Sequence, residues 1–336
     1  MKSLAAIALL TLGAPLAFAA DRPAPGRAVT GDPANEIHVS NETLSGWLLD
    51  NAGNAGHDGG GFNFLQHAAY PGKSIFRDGM VGLNFEHIFN GDKYDNDISM
   101  FTPRRDPNYL VKHPGGKSGT LVWPAESSSW DVDCAMTYTF VEPDAIDMKF
   151  EATPREGQWP HGYLAFMWAS YMNRTAERSI HFQSFSDGEF TWQTFGEDTD
   201  NEQGFETGTI TQANRPNLRY HEGSKSLNII EHPTKRFARS FYYGLLDGDH
   251  DLTTTNDRLA YIVMLEPGAH MRFALWNFIK DNNGNPDPHS PAWDWQYIIV
   301  NPKVDQTYGY RMRVVITPFT TREAILQRYK AWAANL

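Results

Sequence analysis

The sequence predicts an all-β protein: one large antiparallel β-sandwich that ends in a C-terminal helix. Three observations support this. A segment of clean period-two alternation sits near the middle of the chain, further short strand patterns recur along it between turn signals, and helical periodicity is confined to the carboxyl terminus. In the alternating segment Ser129 to Phe140, Trp130, Val132, Cys134, Met136, Tyr138 and Phe140 share one face, while Asp131, Asp133, Thr137 and Thr139 share the other. That pattern is a half-buried antiparallel strand. Ile146 to Phe150 repeats it after the turn residues Glu142, Pro143 and Asp144, so the two form a hairpin. Further strands are expected at Leu164–Ser170, Ser179–Gln183, Thr207–Gln212, Leu227–Glu231, Leu259–Leu265, Met271–Phe278, Trp295–Val300 and Tyr308–Thr317. The closing helix spans 321–335, opened by the capping box Thr320-Thr321-Arg322-Glu323 and carrying Ile325, Tyr329 and Trp332 at helical spacing.

The amino terminus reads differently. Lys2, an apolar run from Leu4 to Leu16 and the small-residue pattern Ala17-Phe18-Ala19 make a secretory signal peptide over 1–19. The run is too short to span a membrane, which takes about 20 apolar residues. Residues 20–36, rich in Pro, Gly and Ala, read as a flexible leader, which leaves 37–336 as a single domain. These signals imply an exported protein, periplasmic or secreted. Cys134 is the only cysteine, so no intramolecular disulfide can form; on its strand it reads as a small buried apolar residue. A net charge of -11 with dispersed basic residues argues against nucleic acid and anionic membrane surfaces as main partners, and no later stretch is apolar enough to insert in a membrane.

The chain holds 10 Trp, 14 Tyr and 20 Phe, more rings than core packing ordinarily asks for. An aromatic face can stack on the apolar C–H face of a pyranose, which gives the surplus a use in saccharide binding. Three clusters could carry chemistry. In Asn84-Phe85-Glu86-His87-Ile88-Phe89, an extended backbone sends Glu86 and His87 to opposite faces, so His87 with Asn84 is favoured over a Glu–His dyad. A hydrogen bond within the fold is the competing use of His87. The second cluster, His161 to Asn173 followed by His181, offers Trp168, Tyr171 and Asn173 near a strand end, with Arg155 upstream as a carboxylate clamp or a surface ion-pair partner. In the third, Trp293 and Trp295 flank Asp294, making either an aromatic wall with a carboxylate at its base or a pair of core residues.

Within the polar loop before that cluster, Asp281, Asn283, Asn285 and Asp287 alternate as calcium ligands do. Pro286 stands where an EF-hand requires glycine, so the loop reads as a solvated turn, with calcium the lesser alternative and no other cofactor expected. No HExxH, GxSxG, P-loop or dinucleotide fingerprint occurs.

The run Leu265-Glu266-Pro267-Gly268-Ala269-His270-Met271-Arg272-Phe273-Ala274-Leu275-Trp276, together with the segment Gly82 to His87, resembles the layout of galactose-mutarotase-like proteins. The resemblance implies a supersandwich and a saccharide ligand. It also implies two histidines in acid/base roles, for which His87 and His181 occur in a plausible order; the late glutamate such enzymes use has no matching motif here. The expectation is therefore an exported carbohydrate-active enzyme, whether lyase, hydrolase or epimerase, working by acid/base chemistry. His87, His181 and Tyr171 are its catalytic candidates, and Asn84, Arg155, Trp168, Asn173, Trp293 and Asp294 its substrate-binding ones. The alternative is a non-catalytic glycan-binding protein of the cell envelope.

Overall fold

A computed structural model describes residues 32–51, 59–92, 101–199, 204–221 and 231–336. The segment 1–19 expected to be a signal peptide and most of the expected leader 20–36 lie outside the described residues. Strands are numbered in chain order. A ten-stranded sheet runs β1 (Asp32–Ala34), β6 (Tyr109–Lys112), β7 (Ser118–Trp123), β8 (Val132–Val141), β9 (Ala145–Pro154), β19 (Tyr308–Pro318), β16 (Arg258–Leu265), β15 (Phe241–Asp247), β11 (Thr175–Ser186) and β12 (Glu189–Phe195). A six-stranded sheet packs against it in the order β14 (Glu231–Phe237), β13 (Gly208–Gln212), β17 (Met271–Trp276), β18 (Ala292–Val300), β10 (Tyr163–Ala169) and β5 (Asn84–Phe89). A third, three-stranded sheet holds β2 (Glu36–Ser40), β3 (Leu44–Leu49) and β4 (Gly61–His67). Neighbours are antiparallel except β13 and β14. The molecule is thus the all-β sandwich the sequence predicts.

The leader is shorter than expected. Residues 32–34 form β1 at the edge of the large sheet, pairing with β6, and Glu36 begins β2. Pro33 fits there because an edge strand can spare one backbone donor.

The space between the two larger sheets is where the aromatic surplus goes. Trp168 stacks on Trp295 with planes 1° apart and centroids 5.7 Å apart, and Phe85, Phe150 and Tyr310 close around the pair. Burying an indole costs free energy unless its N–H finds an acceptor. Here Trp295 Nε1 donates to Tyr310 Oη at 2.6 Å, Trp293 Nε1 to the Arg178 carbonyl at 2.8 Å and Trp123 Nε1 to the Pro103 carbonyl at 2.8 Å. Strand β8 alternates buried and half-buried along its whole length, with Cys134 on the buried side, where burial pushes its thiol well up.

The outer face of the ten-stranded sheet is covered by the C-terminal helix Arg322–Ala333. Thr321 Oγ1 accepts from the Ala324 N–H at 3.1 Å, which sets the cap one residue later than the Thr320–Glu323 capping box implies. Ile325, Tyr329 and Trp332 then pack onto Phe241, Leu245 and Ile262, with Tyr329 stacked on Phe241 at 4.7 Å. Among the described residues no helix is long and apolar enough to cross a membrane.

Candidate functional site

The six-stranded sheet also has an outer face, and its lining is unlike that of the helix-covered one. Alternation along β18 sends Trp293, Trp295 and Tyr297 into the core and leaves Asp294, Gln296 and Ile298 on the other side. On β17 it leaves Arg272, Ala274 and Trp276 there. Read through the strand registers, one row across this face is Thr211, Arg272, Gln296, Met167 and His87. Arg272 is wholly buried and spends its guanidinium on Thr211 Oγ1, Gln296 Oε1 and Glu231 Oε1, the last at 2.9 Å. Burial lowers its pKa to about 10, against the pull of Glu231.

At the edge strand β5 the register slips. Met167 pairs with His87 and Trp168 pairs with Phe85, so Glu86 is an extra residue on β5, a β-bulge. The extra residue breaks the alternation, and Glu86 and His87 both turn to the outer face. The short helix α1 (Thr102–Arg105) lies over them. Arg104 donates to Glu86 Oε1 at 2.7 Å, and the ring of Phe101, just before the helix, meets His87 edge-on at 4.2 Å. The hydroxyl of Tyr171 donates to the same Glu86 oxygen at 2.7 Å. Tyr171, two residues beyond the end of β10, stands beside Ala292.

Asp294 lies beneath this group. Its Oδ1 accepts from the Ser170 N–H at 3.1 Å, and burial first, then the negative charge of Glu86, pushes its pKa well above the usual carboxylate range. Burial and the Glu86 charge likewise push the Tyr171 phenol up, so it keeps its proton. The site therefore holds two carboxyl groups in different environments: Glu86 bonded to Arg104 and Tyr171, and Asp294 driven toward its protonated form by burial. Divergent environments of this kind are how one site carries both an acid and a base.

Asn173 and Arg174, which follow Tyr171 in the chain, line a cleft of about 430 Å³ whose lining residues are all polar or charged; Glu86, Tyr171, Arg104 and Asp294 are not among them. Arg77, Arg174 and Lys280 supply the cations, Asp78, Asp281 and Asp287 the acids, and amide and hydroxyl groups the rest. The cleft is tied to the carboxyl cluster through the backbone: the Arg77 N–H donates to the Tyr171 carbonyl at 3.0 Å, and Ser290 lies two residues before Ala292.

Of the residues singled out from the sequence, His87, Tyr171, Asp294 and Asn84 share this face, and Asn173 lines the cleft. The others lie elsewhere. His181 is on β11, in the other sheet, with Nε2 on Glu177 Oε1 at 2.7 Å, Nδ1 on Thr194 Oγ1 and its ring stacked on Tyr243, so it does not meet His87. Arg155 is held by Asp133 at 2.6 Å and Asp305 at 2.8 Å; it is an ion-pair residue, not a substrate clamp. Trp168 and Trp293 have no exposed surface, which rules out stacking on a sugar, and of the ten tryptophans Trp47 alone is exposed.

Sequence reasoning missed Glu86 as a site residue, because the alternation rule that set it aside assumes an unbroken strand. Arg104 and the cleft cations carried no signal beyond the polar loop before Pro291.

The loop Asp281–Asp287 folds as an Asx turn, with Asp281 Oδ1 accepting from the N–H groups of Asn283 and Asn285. A second acidic group, Asp247, Asp249 and Asp251, brings carboxylate oxygens within 4.8 Å of one another. Each of its members also accepts from a backbone N–H of the same turn.

No family model matches the sequence, and no curated protein matches it. Solved structures do. The resemblance is to galactose-mutarotase-like structures. An Escherichia coli K12 protein described as an aldose 1-epimerase candidate is 10% identical with a TM-score of 0.48, covering 84% of this chain and 99% of its own. A galactose mutarotase-like protein of Lactobacillus casei is 9% identical with a TM-score of 0.43, covering 84% and 99%. A bacterial glucoamylase bound to acarbose is 7% identical with a TM-score of 0.41, covering 92% of this chain and 39% of its own. These are likenesses of layout, and the functional reading below is built on this chain's own side chains.

Proposed function

We propose that this protein is an exported saccharide-processing enzyme that works by side-chain acid/base chemistry at the bulged edge of the six-stranded sheet. One observation carries the reading: the hydrogen-bonded set Tyr171–Glu86–Arg104 stands over Asp294, whose burial favours its protonated form, and is joined through the Tyr171 backbone to a cleft lined by polar residues. A polyhydroxylated ligand suits such a cleft, since every wall group can exchange a hydrogen bond with a hydroxyl. Glu86 is the base, its lone pairs aimed by Arg104 and Tyr171. Asp294 and Tyr171 hold the protons available for a leaving or ring oxygen. Arg104 acts through Glu86 and is a positioning residue. Epimerisation, hydrolysis and elimination all need this division of labour.

A purely glycan-binding module would be built around exposed rings, and six of the ten tryptophans are buried, with Trp130, Trp159 and Trp192 half-buried and Trp47 alone exposed, which speaks against it. Export rests on the pattern in Met1–Ala20, and amino-terminal sequencing of the protein recovered from its producing cell tests it.

The chemistry is tested by incubating the protein with neutral, uronic and sulfated polysaccharides while following reducing ends and the absorbance of unsaturated products together. Turnover that disappears in Glu86→Gln and Tyr171→Phe supports the reading. Turnover that survives both removes the site from the chemistry, and binding without turnover on every saccharide transfers the protein to the glycan-binding class.

A further inference from the structure

We infer that the cleft beside Tyr171 takes a saccharide unit bearing a carboxylate, a uronate, and that Arg174 and Lys280 are the side chains that read its charge. The inference rests on the saccharide reading and narrows its substrate class.

The charges lining the cleft are not equivalent. Arg77 is already engaged, donating to Ser290 Oγ at 2.9 Å with Asp287 Oδ2 3.8 Å away. Asp281 accepts from two backbone N–H groups of its own turn, and Asp287 accepts from the His289 N–H and the Ser290 hydroxyl. Arg174 and Lys280, both exposed, have no hydrogen-bond or ion-pair partner for their side chains among the described residues. A chain of net charge -11 has many carboxylates with which to neutralise two neighbouring cations, and here it leaves them open on one concavity.

The backbone adds a second observation. Arg174 has a φ of +52°, in the left-handed region that non-glycine residues seldom adopt, and its carbonyl is held there by the Asp247 N–H at 3.1 Å. The fold thus fixes the arginine at the lip of the cleft at a conformational cost.

A carboxylate matches the planar fork of Arg174 and the point charge of Lys280, as the hydroxyls of the same ring match the free carboxylate of Asp78 and the amide of Asn282. A sulfate ester offers the same charge from a different source, so the test separates the two. Isothermal titration compares oligomers of galacturonate, mannuronate and glucuronate with their methyl esters, which keep the skeleton and remove the charge, and with sulfated galactan oligomers. The protein is wild type or carries Arg174→Ser with Lys280→Ser, two exposed positions whose replacement leaves the core intact, as an unchanged Tm would verify.

On at least one skeleton the acid is expected to bind about tenfold more tightly than its ester at low salt, two partly screened ion pairs' worth. That preference should vanish in the double variant and shrink at about 0.5 M salt. Esters bound as tightly as acids on every skeleton would overturn the uronate inference and leave the saccharide reading standing. A protein that takes only the sulfated oligomers overturns the carboxylate assignment. If no saccharide is bound or turned over, both readings fail together.

Discussion

Both large sheets present an outer face built by the same alternation, yet the chain uses the two faces in opposite ways. On the ten-stranded sheet that face is apolar, with Phe241, Leu245, Ile262 and Met264, and a capped helix covers it with Ile325, Tyr329 and Trp332. Its polar groups close on one another: His181 with Glu177, Arg313 with Asp147, Arg328 with Asp144. On the six-stranded sheet the outer face sets Glu86, Asp294, Gln296 and Arg272 beside a smaller apolar cluster that includes Phe89, Met167 and Trp276, and among the described residues the short helix α1 lies over its β5 edge. A sheet face covered by a helix gains packing energy; one lined by titratable groups gives up that energy, and such a surrender needs a functional return.

The contrast is sharpest in activity. Glu86→Gln should lower kcat/KM on the protein's saccharide substrate by about 10²–10⁴-fold, the usual worth of a placed acid/base group. His181→Ala, on the other face, should leave turnover unchanged while lowering Tm. Equal loss of activity in the two variants would erase the distinction.

The converse holds for stability. Trp332→Ala removes a large ring from the helix seam and should cost about 3 kcal/mol in chemical denaturation, with kcat retained in the folded fraction. A variant as stable as wild type would mean the helix does not secure that face.

Asp294→Asn sharpens the comparison from the site side. The folded-state pKa of Asp294 is raised above its unfolded value, so at neutral pH folding must carry a proton that the unfolded carboxylate has given up. The amide keeps the shape without that cost. The variant should therefore be inactive yet melt at a higher temperature than wild type at pH 7, and the gap should close as pH falls toward 4.

The smallest effect expected is that of His270, buried near Arg215 and Arg272 with both ring nitrogens lacking hydrogen-bond partners among the described residues. Burial first, then those two charges, lowers its pKa to about 4. The unfolded state binds the proton more readily, so this group's share of stability is complete above about pH 6.5 and declines as pH falls from there toward 4. His270→Gln should flatten that part of the Tm profile.

Much of the architecture was legible because burial imposes it on the sequence. Trp130 to Phe140 could be read as a strand with a buried face because one side meets the core and the other meets water. The helix was legible from Thr321 and its three apolar residues. The other amino-terminal strands, β5 apart, were not, since short strands such as Asp32–Ala34 and Tyr109–Lys112 hold too few residues to display a period. Tyr171 and Asp294 were found by residue type. Their companion Glu86 was set aside by a sound rule applied to a strand that breaks it. The tryptophans misled in the other direction: indole chemistry permits sugar stacking, while the backbone carbonyls and hydroxyls that satisfy Trp123, Trp293 and Trp295 from inside the sandwich are set by tertiary structure, which composition does not record.

The bulge makes the proposed site a matter of counting. Deleting one residue between Phe85 and His87 would leave every core ring and every neighbouring strand with its present partner. The repaired edge would have one outward position where it now has two. An ancestor or descendant shorter by that single residue would be the same building with the workshop bricked up, and a deletion scan along β5 would find the step at one codon, with no chemical substitution anywhere.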